Sequence, residues 1–214
     1  RLAEREYLVV TSAICQTRDL AWLRRAIEAQ PDAHCTVTDV TSGIAMLGVM
    51  GPRSRELLQI VSGADLSNET HPFGHSREIE IGYARVRASR ITYVGELGWE
   101  LYMPAEHCLD VYEQLLAAGA PLGLTLAGYH AMGACRVEKG YKHWSHDIGD
   151  EDTPLDAGLG FTVAWDKPGG FVGRDALLAQ KAAGPLRRRL VQVMMDDASD
   201  TAPLLYHEEP IVRD

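Results

Sequence analysis

The sequence predicts an α+β fold in which antiparallel sheet and packed helices share one core. Two short alternating runs, residues 77–81 and 83–89, meet at Gly82 in the pattern of a hairpin. A further strand-like run, residues 93–102, follows with no helix between, so it belongs beside that hairpin. Helical periodicities are interspersed with the strands, yet the central strands are hairpin-linked. That favours α+β with antiparallel sheet over a doubly wound fold.

Residues 7–11 open the chain as a strand-like run. Residues 16–30 read as a helix, because Leu20, Leu23 and Ile27 recur at three- and four-residue spacing with Trp22 and Ala26 alongside. Thr17 is its expected cap, Asp19 offsets the dipole from the first turn, and Pro31 ends it. Residues 35–41 alternate as a strand, and residues 44–50 form a nearly continuous apolar one. Gly51-Pro52 breaks the chain, with Pro52 suited to the start of a helix carrying Leu57, Leu58 and Val61. Residues 63–74 are a polar loop. A helix over residues 104–118 turns Cys108, Val111, Leu115 and Leu116 inward. In the next, residues 126–138, Ala127, Ala131 and Ala134 permit close packing. Residues 140–152 are irregular and polar, residues 161–165 a short strand, residues 173–183 a helix, and residues 190–195 a strand.

At 214 residues and 46% hydrophobic, the chain can bury a core as one domain or two small lobes. Its net charge of -9 argues against nucleic acid or an anionic membrane as partner, since binding phosphates needs dense Lys and Arg. The longest nearly uncharged apolar run, residues 43–50, is far short of a membrane span. No signal-peptide pattern leads the chain. Cys15, Cys35, Cys108 and Cys135 are scattered, which predicts buried reduced thiols and a reducing compartment: cytoplasmic, or the mitochondrial matrix in a eukaryote. The chain starts at Arg1 and stops on a strand-like tail, Ile211-Val212-Arg213-Asp214, with nothing to pair it. Unpaired strands leave backbone groups unmatched, so the sequence reads as an interior piece of a longer polypeptide.

The densest chemistry lies in Tyr93-Val94-Gly95-Glu96-Leu97-Gly98-Trp99-Glu100-Leu101-Tyr102. Gly95 and Gly98 admit a positive φ or a close backbone approach. Period two sets Glu100 and Tyr102 on one face of the strand and Trp99 and Leu101 on the other. With Trp99 and Leu101 in the core, Glu100 and Tyr102 face solvent or a cleft, and Tyr93 sits just before the turn. A carboxylate framed by tyrosines suits a planar heterocycle whose N–H groups it accepts. The bland alternative is a hairpin with a solvated carboxylate. Glu96 reads as a turn residue.

Tyr93-x-Gly-Glu-x-Gly-x-Glu100, Gly128, Arg136-Val-Glu138-Lys-Gly-Tyr141-Lys-His143-Trp144, Thr153-Pro-Leu-Asp-Ala-Gly-Leu159 and Phe171-Val-Gly-Arg174 follow in order. Through these blocks the chain resembles the folate-binding module of the glycine-cleavage T protein (aminomethyltransferase) family. The Glu-Lys-Gly-Tyr-x-His-Trp variant is similar to the copy fused behind an FAD domain in sarcosine and dimethylglycine dehydrogenases. The resemblance implies a three-lobed fold that binds tetrahydrofolate in a central channel and moves a one-carbon unit onto it. It implies a folate-binding module over residues 1–185 that lacks its N-terminal part, then the start of a C-terminal β-barrel lobe over residues 186–214.

By the same resemblance Glu100 is the glutamate that grips the pterin and Tyr93 a tyrosine lining the channel, with Trp144 and His143 as further channel or loop-anchoring residues. Counting from Gly128, the family's folate-contacting arginine falls on Met132. The family's catalytic aspartate lies upstream of this sequence, so no catalytic residue is assigned. FAD is expected only in another domain of the same polypeptide. No Gly-x-Gly-x-x-Gly follows a strand here, and Gly95-Glu-Leu-Gly98 has neither the spacing nor the helix that a pyrophosphate needs. Alternatives are a stand-alone aminomethyltransferase working with a lipoyl carrier, and a folate-binding scaffold without turnover.

Four other groups invite roles. His143-Trp144-Ser145-His146-Asp147 lacks a third distant ligand at zinc-type spacing, so no metal is expected. Arg136 and Glu138 lie two apart on a helix and do not face each other; each is expected to brace the following loop. Arg187-Arg188-Arg189 suits the anionic tail of folate or a guarded strand edge, and Cys135 suits the core.

Overall fold

Strands β1 (Ile44–Met50), β2 (Ser76–Ile81), β3 (Ala84–Ser89) and β4 (Gly98–Pro104) make one antiparallel sheet in the order β1-β4-β3-β2. The helices are α1 (Gln16–Glu28), α2 (Ser54–Ser62), α3 (Cys108–Gly119), α4 (Tyr129–Glu138) and α5 (Arg174–Ala182), of which α2 and α3 pack on the sheet. The structure, a computed structural model, describes residues 1–30, 32–196, 199, 201 and 210–212. It divides into two units, Arg1–Trp144 and Ser145–Asp214.

The hairpin forms where the alternation put it. Gly82 holds φ 56, in the left-handed region, and lets β2 turn into β3 with Ile81 opposite Ala84. Ile79, Ile81, Ala84, Val86 and Ala88 are buried on one face. On the other, Glu78 receives both Arg85 and Arg87 from the neighbouring strand. β4 then inserts between β3 and β1, adding Trp99, Leu101 and Met103 to the buried face. α2 brings Leu57 and Leu58 and α3 brings Val111 and Leu115 onto that face. Each side chain of this size removed from water contributes about 1.5–3 kcal/mol.

The two glycines of the turn before β4 serve different ends. Gly95 holds φ 73, a conformation side chains resist. Gly98 has ordinary φ but lies against β1: a Cβ there would stand 2.1 Å from Met50 Sδ and 2.9 Å from the Val49 carbonyl oxygen. The entry to β4 is fixed further by the Gly51 amide, which donates to Leu97 O at 2.7 Å. Ser54 Oγ bonds both Gly51 O (2.7 Å) and Leu97 O (3.1 Å).

Several expectations are corrected. Residues 7–11 and 35–41 carry no strand ladder; both line one cavity of about 770 Å³ beside α1. The second run instead closes locally, Asp39 accepting from Thr41 N (2.9 Å), Thr41 Oγ1 (2.6 Å) and Gln16 Nε2 (2.8 Å). Side chains of this kind offer the backbone an alternative to a ladder. The same competition turns residues 161–165 into the 3-10 turn Gly160–Thr162, with Thr162 N and Oγ1 both on Leu159 O. Thr17 does not cap α1; a 3-10 turn, Ala13–Cys15, runs into the helix, which stops at Glu28. Pro31 lies outside the described residues. Leu20, Leu23 and Ile27 do turn to one side of α1, half-buried. Cys35 and Cys135 are exposed, Cys108 is half-buried and Cys15 is buried, all as free thiols, so Cys135 is no core residue.

In the second unit Asp156 accepts from Thr153 N (3.3 Å), Thr153 Oγ1 (2.7 Å) and Gln180 Nε2 of α5 (3.1 Å). Residues 190–195 make no strand among the described residues; the Leu190 amide donates to Asp156 O at 3.0 Å instead. Of the expected tail, Arg213 and Asp214 lie outside the described residues.

Gly98→Ala is expected to cost about 1–3 kcal/mol of stability, the usual penalty of overpacking, because one of the opposing atoms is backbone. Urea unfolding of parent and variant measures it, and equal midpoints would show that β1 and β4 do not approach this closely.

Candidate functional site

The register of β4 decides what surrounds Glu100. Its neighbour across β1 is Gly48 and its neighbour across β3 is Ser89, both small. Tyr102 is flanked likewise by Met46 and Arg87. Facing pairs share a side of the sheet, so Glu100 stands half-buried on the side away from the core, in a gap between small residues. Packing does not demand the glycine at 48, since a Cβ there would meet only Met50 Cε, at 3.7 Å.

Tyr102 Oη donates to Glu100 Oε2. Burial, then the bond to Glu100 and that carboxylate's charge, push the Tyr102 phenol above the ordinary tyrosine range, so it stays a neutral donor. A carboxylate offers about four lone-pair sites. Tyr102 takes one, which leaves capacity for a ligand's paired N–H groups. The Tyr102 ring and Met46 also wall a cavity of about 210 Å³, closed by Leu8, Val10 and Ile44.

Tyr93 and Trp144 have neighbours of their own. Tyr93 Oη donates to Lys142 O at 3.3 Å, and its ring lies 6.5 Å from that of Tyr141. A Cβ on Gly95 would stand 2.1 Å from Lys139 Cγ, so the turn before β4 and the segment after α4 are in close contact. Lys139 Nζ meets Glu96 at 3.5 Å in an exposed pair, in keeping with Glu96 as a turn residue. The Arg18 guanidinium of α1 lies over the Trp144 ring at 5.1 Å, and His143 meets Tyr129 edge-on at 6.4 Å. The structure thus joins residues 93–96 to residues 139–142, while Glu100 has Tyr102 as its bonded partner.

The remaining candidates have structural partners. Arg136 is buried in α4 and donates to Tyr141 O at 3.2 Å, bracing the loop after it. Arg188 pairs with Asp152. Met132 lies half-buried in α4. Among the described residues no group of three or more His, Cys, Asp or Glu is placed to hold a metal ion, and no helix is long and apolar enough to cross a membrane. Reading the sequence one strand at a time missed Gly48 and Ser89 as neighbours of Glu100. Tyr102 did carry a signal, its period-two relation to Glu100.

The GCVT N-terminal domain matches residues 1–167. The chain belongs to this family, that of the glycine-cleavage T protein. It is 43% identical over 211 residues to the 4-methylaminobutanoate oxidase (formaldehyde-forming) of Paenarthrobacter nicotinovorans, covering 99% of this chain and 25% of that protein. It is 43% identical over 191 residues to the mitochondrial sarcosine dehydrogenase of Homo sapiens, covering 89% of this chain and 20% of that protein. The chain therefore spans a quarter or less of these curated relatives. Among solved structures, the glycine cleavage system aminomethyltransferase T from Bartonella henselae superposes with a TM-score of 0.67 at 25% identity, over 81% of this chain and 45% of that one. The helices and antiparallel sheet of this family member are those of the T-protein fold.

The raised Tyr102 phenol has a consequence for stability. The folded chain keeps a proton that an unfolded tyrosine releases near pH 10, so this contribution is complete below about pH 10 and is lost as pH rises above it. Denaturant unfolding between about pH 8 and about pH 11 is expected to show the parent losing its advantage over Tyr102→Phe as the pH climbs. A constant difference would mean that Tyr102 ionises normally.

Proposed function

We propose that this chain is the tetrahydrofolate-binding, one-carbon-transfer module of an FAD-dependent N-methyl amine dehydrogenase of the sarcosine or dimethylglycine type. The observation that carries the reading is Glu100, a half-buried carboxylate between Gly48 and Ser89 on the open face of the sheet, in a GCVT family chain. The amino-pyrimidinone edge of a pterin presents adjacent N–H donors, and one carboxylate accepts both as a fork. The small neighbours leave room for a flat ring. An analogue without that edge would leave the carboxylate unpaired and be rejected.

Tyr93 and Trp144 are the aromatic residues proposed to line the same channel. Residues 1–185 act as the folate module and residues 186–214 open the C-terminal lobe. Flavin chemistry belongs to another domain of the same polypeptide, which would oxidise the amine and release the one-carbon unit that folate accepts as methylene-tetrahydrofolate. The relative named for forming formaldehyde from 4-methylaminobutanoate supports a one-carbon product, and sarcosine dehydrogenase is named for an amine of the same kind. The proposed setting is the cytoplasm or, in a eukaryote, the mitochondrial matrix. The likeness to aminomethyltransferase T favours a second reading, a stand-alone aminomethyltransferase. Upstream sequence separates the two: a Gly-rich FAD-binding βαβ unit supports the dehydrogenase, and its absence from the intact protein supports the transferase.

Glu100→Ala in the intact protein is expected to weaken tetrahydrofolate binding by about 1.5–3 kcal/mol, the usual worth of hydrogen bonds to a charged group. Calorimetry giving unchanged affinity would remove the basis for the folate reading. Gly48→Leu is expected to keep the fold, since Gly48 is exposed and a Cβ there meets only Met50 Cε at 3.7 Å, and to block binding by filling the gap beside Glu100. A Gly48→Leu protein that melts like the parent and binds tetrahydrofolate as tightly would show that the ligand lies elsewhere.

A further inference from the structure

The loop before β2 is fastened to the connection that leads into β4 at a single residue. Arg90, the first residue after β3, shares three bonds with it. Its Nη1 donates to His71 O at 2.8 Å, its amide donates to His75 O at 2.8 Å, and its carbonyl accepts from Gly74 N at 2.9 Å. The His71 ring sits inside this fastening, fully buried and edge-on to Trp99 with centroids 6.1 Å apart. Its Nε2 lies 3.1 Å from His75 O, so the neutral ring carries its proton there. Nδ1 is left as a buried lone pair with no partner among the described residues. A second proton would go to Nδ1, where no acceptor meets it, and a buried charge with an unmet donor is far costlier than an unmet lone pair.

The surroundings would also repel that charge. Arg77 of β2, Arg90 and His75 face the ring, and all three are cationic or become so. Across the indole stands Arg55 of α2, its guanidinium carbon 5.9 Å from the Trp99 centroid. The acids of the same elements are engaged elsewhere: Glu78 with Arg85 and Arg87, Glu56 with Arg53, and Asp65 with the Ser67 amide at 2.9 Å. Glu69 is exposed. Burial lowers the pKa of His71 first; the bond to His75 O opposes this, and the charges of Arg77, Arg90 and His75 lower it further.

We propose that His71 makes residues 71–75 a proton-sensitive clasp: the neutral ring keeps the loop fastened to Arg90 and against Trp99, and a protonated ring leaves its site and lets the loop open. Leu66, fully buried with its amide on Gln59 Oε1 at 3.1 Å, anchors the loop upstream and confines the movement to the residues after it. Opening frees Arg90, three residues before Tyr93, and uncovers an edge of the indole that precedes Glu100. The inference holds whatever ligand Glu100 takes. Its sign follows from linkage. The open loop binds a proton with the ordinary histidine pKa of about 6.5 and the closed loop only at lower pH, so closure is complete above about pH 6.5 and is lost as the pH falls.

The test is hydrogen exchange of the intact protein read by mass spectrometry, with rates corrected for the pH dependence of free amides. The amides of Gly74 and Arg90 report directly, because their bonds are those of the clasp. Their opening equilibrium is expected to rise about tenfold between about pH 7.5 and about pH 5.5, the effect of one site with an open-state pKa of about 6.5 that stays neutral when closed. His71→Phe cannot ionise and leaves His75 O bonded to the Arg90 amide; it is expected to lose the rise, and His75→Gln to keep it. An equal rise in His71→Phe, or none in the parent, overturns the proposal. Exchange at the histidine C2–H needs no variant: His71 is expected to exchange slowly and to titrate below the ordinary histidine range, and a ring titrating within that range overturns the clasp as well.

Discussion

The structure depends on the pairing of β4 with β1 on one side and β3 on the other. A strand slipped by one residue would carry Trp99, Leu101 and Met103 to the open face and bury Glu100 and Tyr102. The apolar set alone disfavours that exchange, and the entry to β4 adds a second restraint. Gly51 and Ser54 both bond Leu97 O, and Gly98 lies so near Met50 and Val49 that only a residue without Cβ fits. Core and candidate site are thus two readings of one register. A carboxylate can stand half-buried on this strand because its neighbours on alternate positions supply the burial energy.

The turn before β4 joins this strand to a distant part of the chain, Tyr93 bonding Lys142, 49 residues on. Gly95 takes the left-handed conformation and receives the Lys139 stem where a side chain would otherwise sit. Tyr93 reaches the Lys142 carbonyl, and Arg136 holds Tyr141 from below. These contacts give a physical reason for the company that two of the sequence blocks keep. Gly95 in the first block leaves room for Lys139 of the second, and the second braces its own loop. The position of the Tyr93 side chain is therefore set by both blocks together, through its bond to Lys142 and the close approach of Lys139 to Gly95.

Where local pattern and tertiary demand agreed, the sequence was legible. The hairpin at Gly82, the apolar strand of residues 44–50, the helices and the inward turn of Trp99 all followed from period and from turn residues. The segments that depart from their sequence pattern share a cause. Residues 35–41 alternate like a strand, yet strand formation requires a neighbour, and Asp39 closes the segment on Thr41 and Gln16 instead. Cys135 looked like a core residue because cysteine usually is one, but the side of α4 it occupies is uncovered. At the candidate site, Glu100 and Tyr93 came from resemblance, and the alternation placed Glu100 opposite Trp99. Gly48 and Ser89 were illegible because cross-strand register is a property of the pair of strands, and neither strand records it alone.

Charge illustrates the same limit from the other direction. A net charge of -9 is a statement about the far field, which steers diffusing partners and argues against a nucleic acid. It says little about what a buried group meets within hydrogen-bonding distance. Arg55, Arg77 and Arg90 gather beside two histidines in this acidic chain, while Glu56 turns to Arg53, Glu78 to Arg85 and Arg87, and Asp65 accepts from Ser67. On one side of β4 a carboxylate waits among small residues; on the other, arginines surround an indole. Glu100 and Trp99 are successive residues of β4, so a change that shifts this strand moves both the open-face carboxylate and the indole behind it.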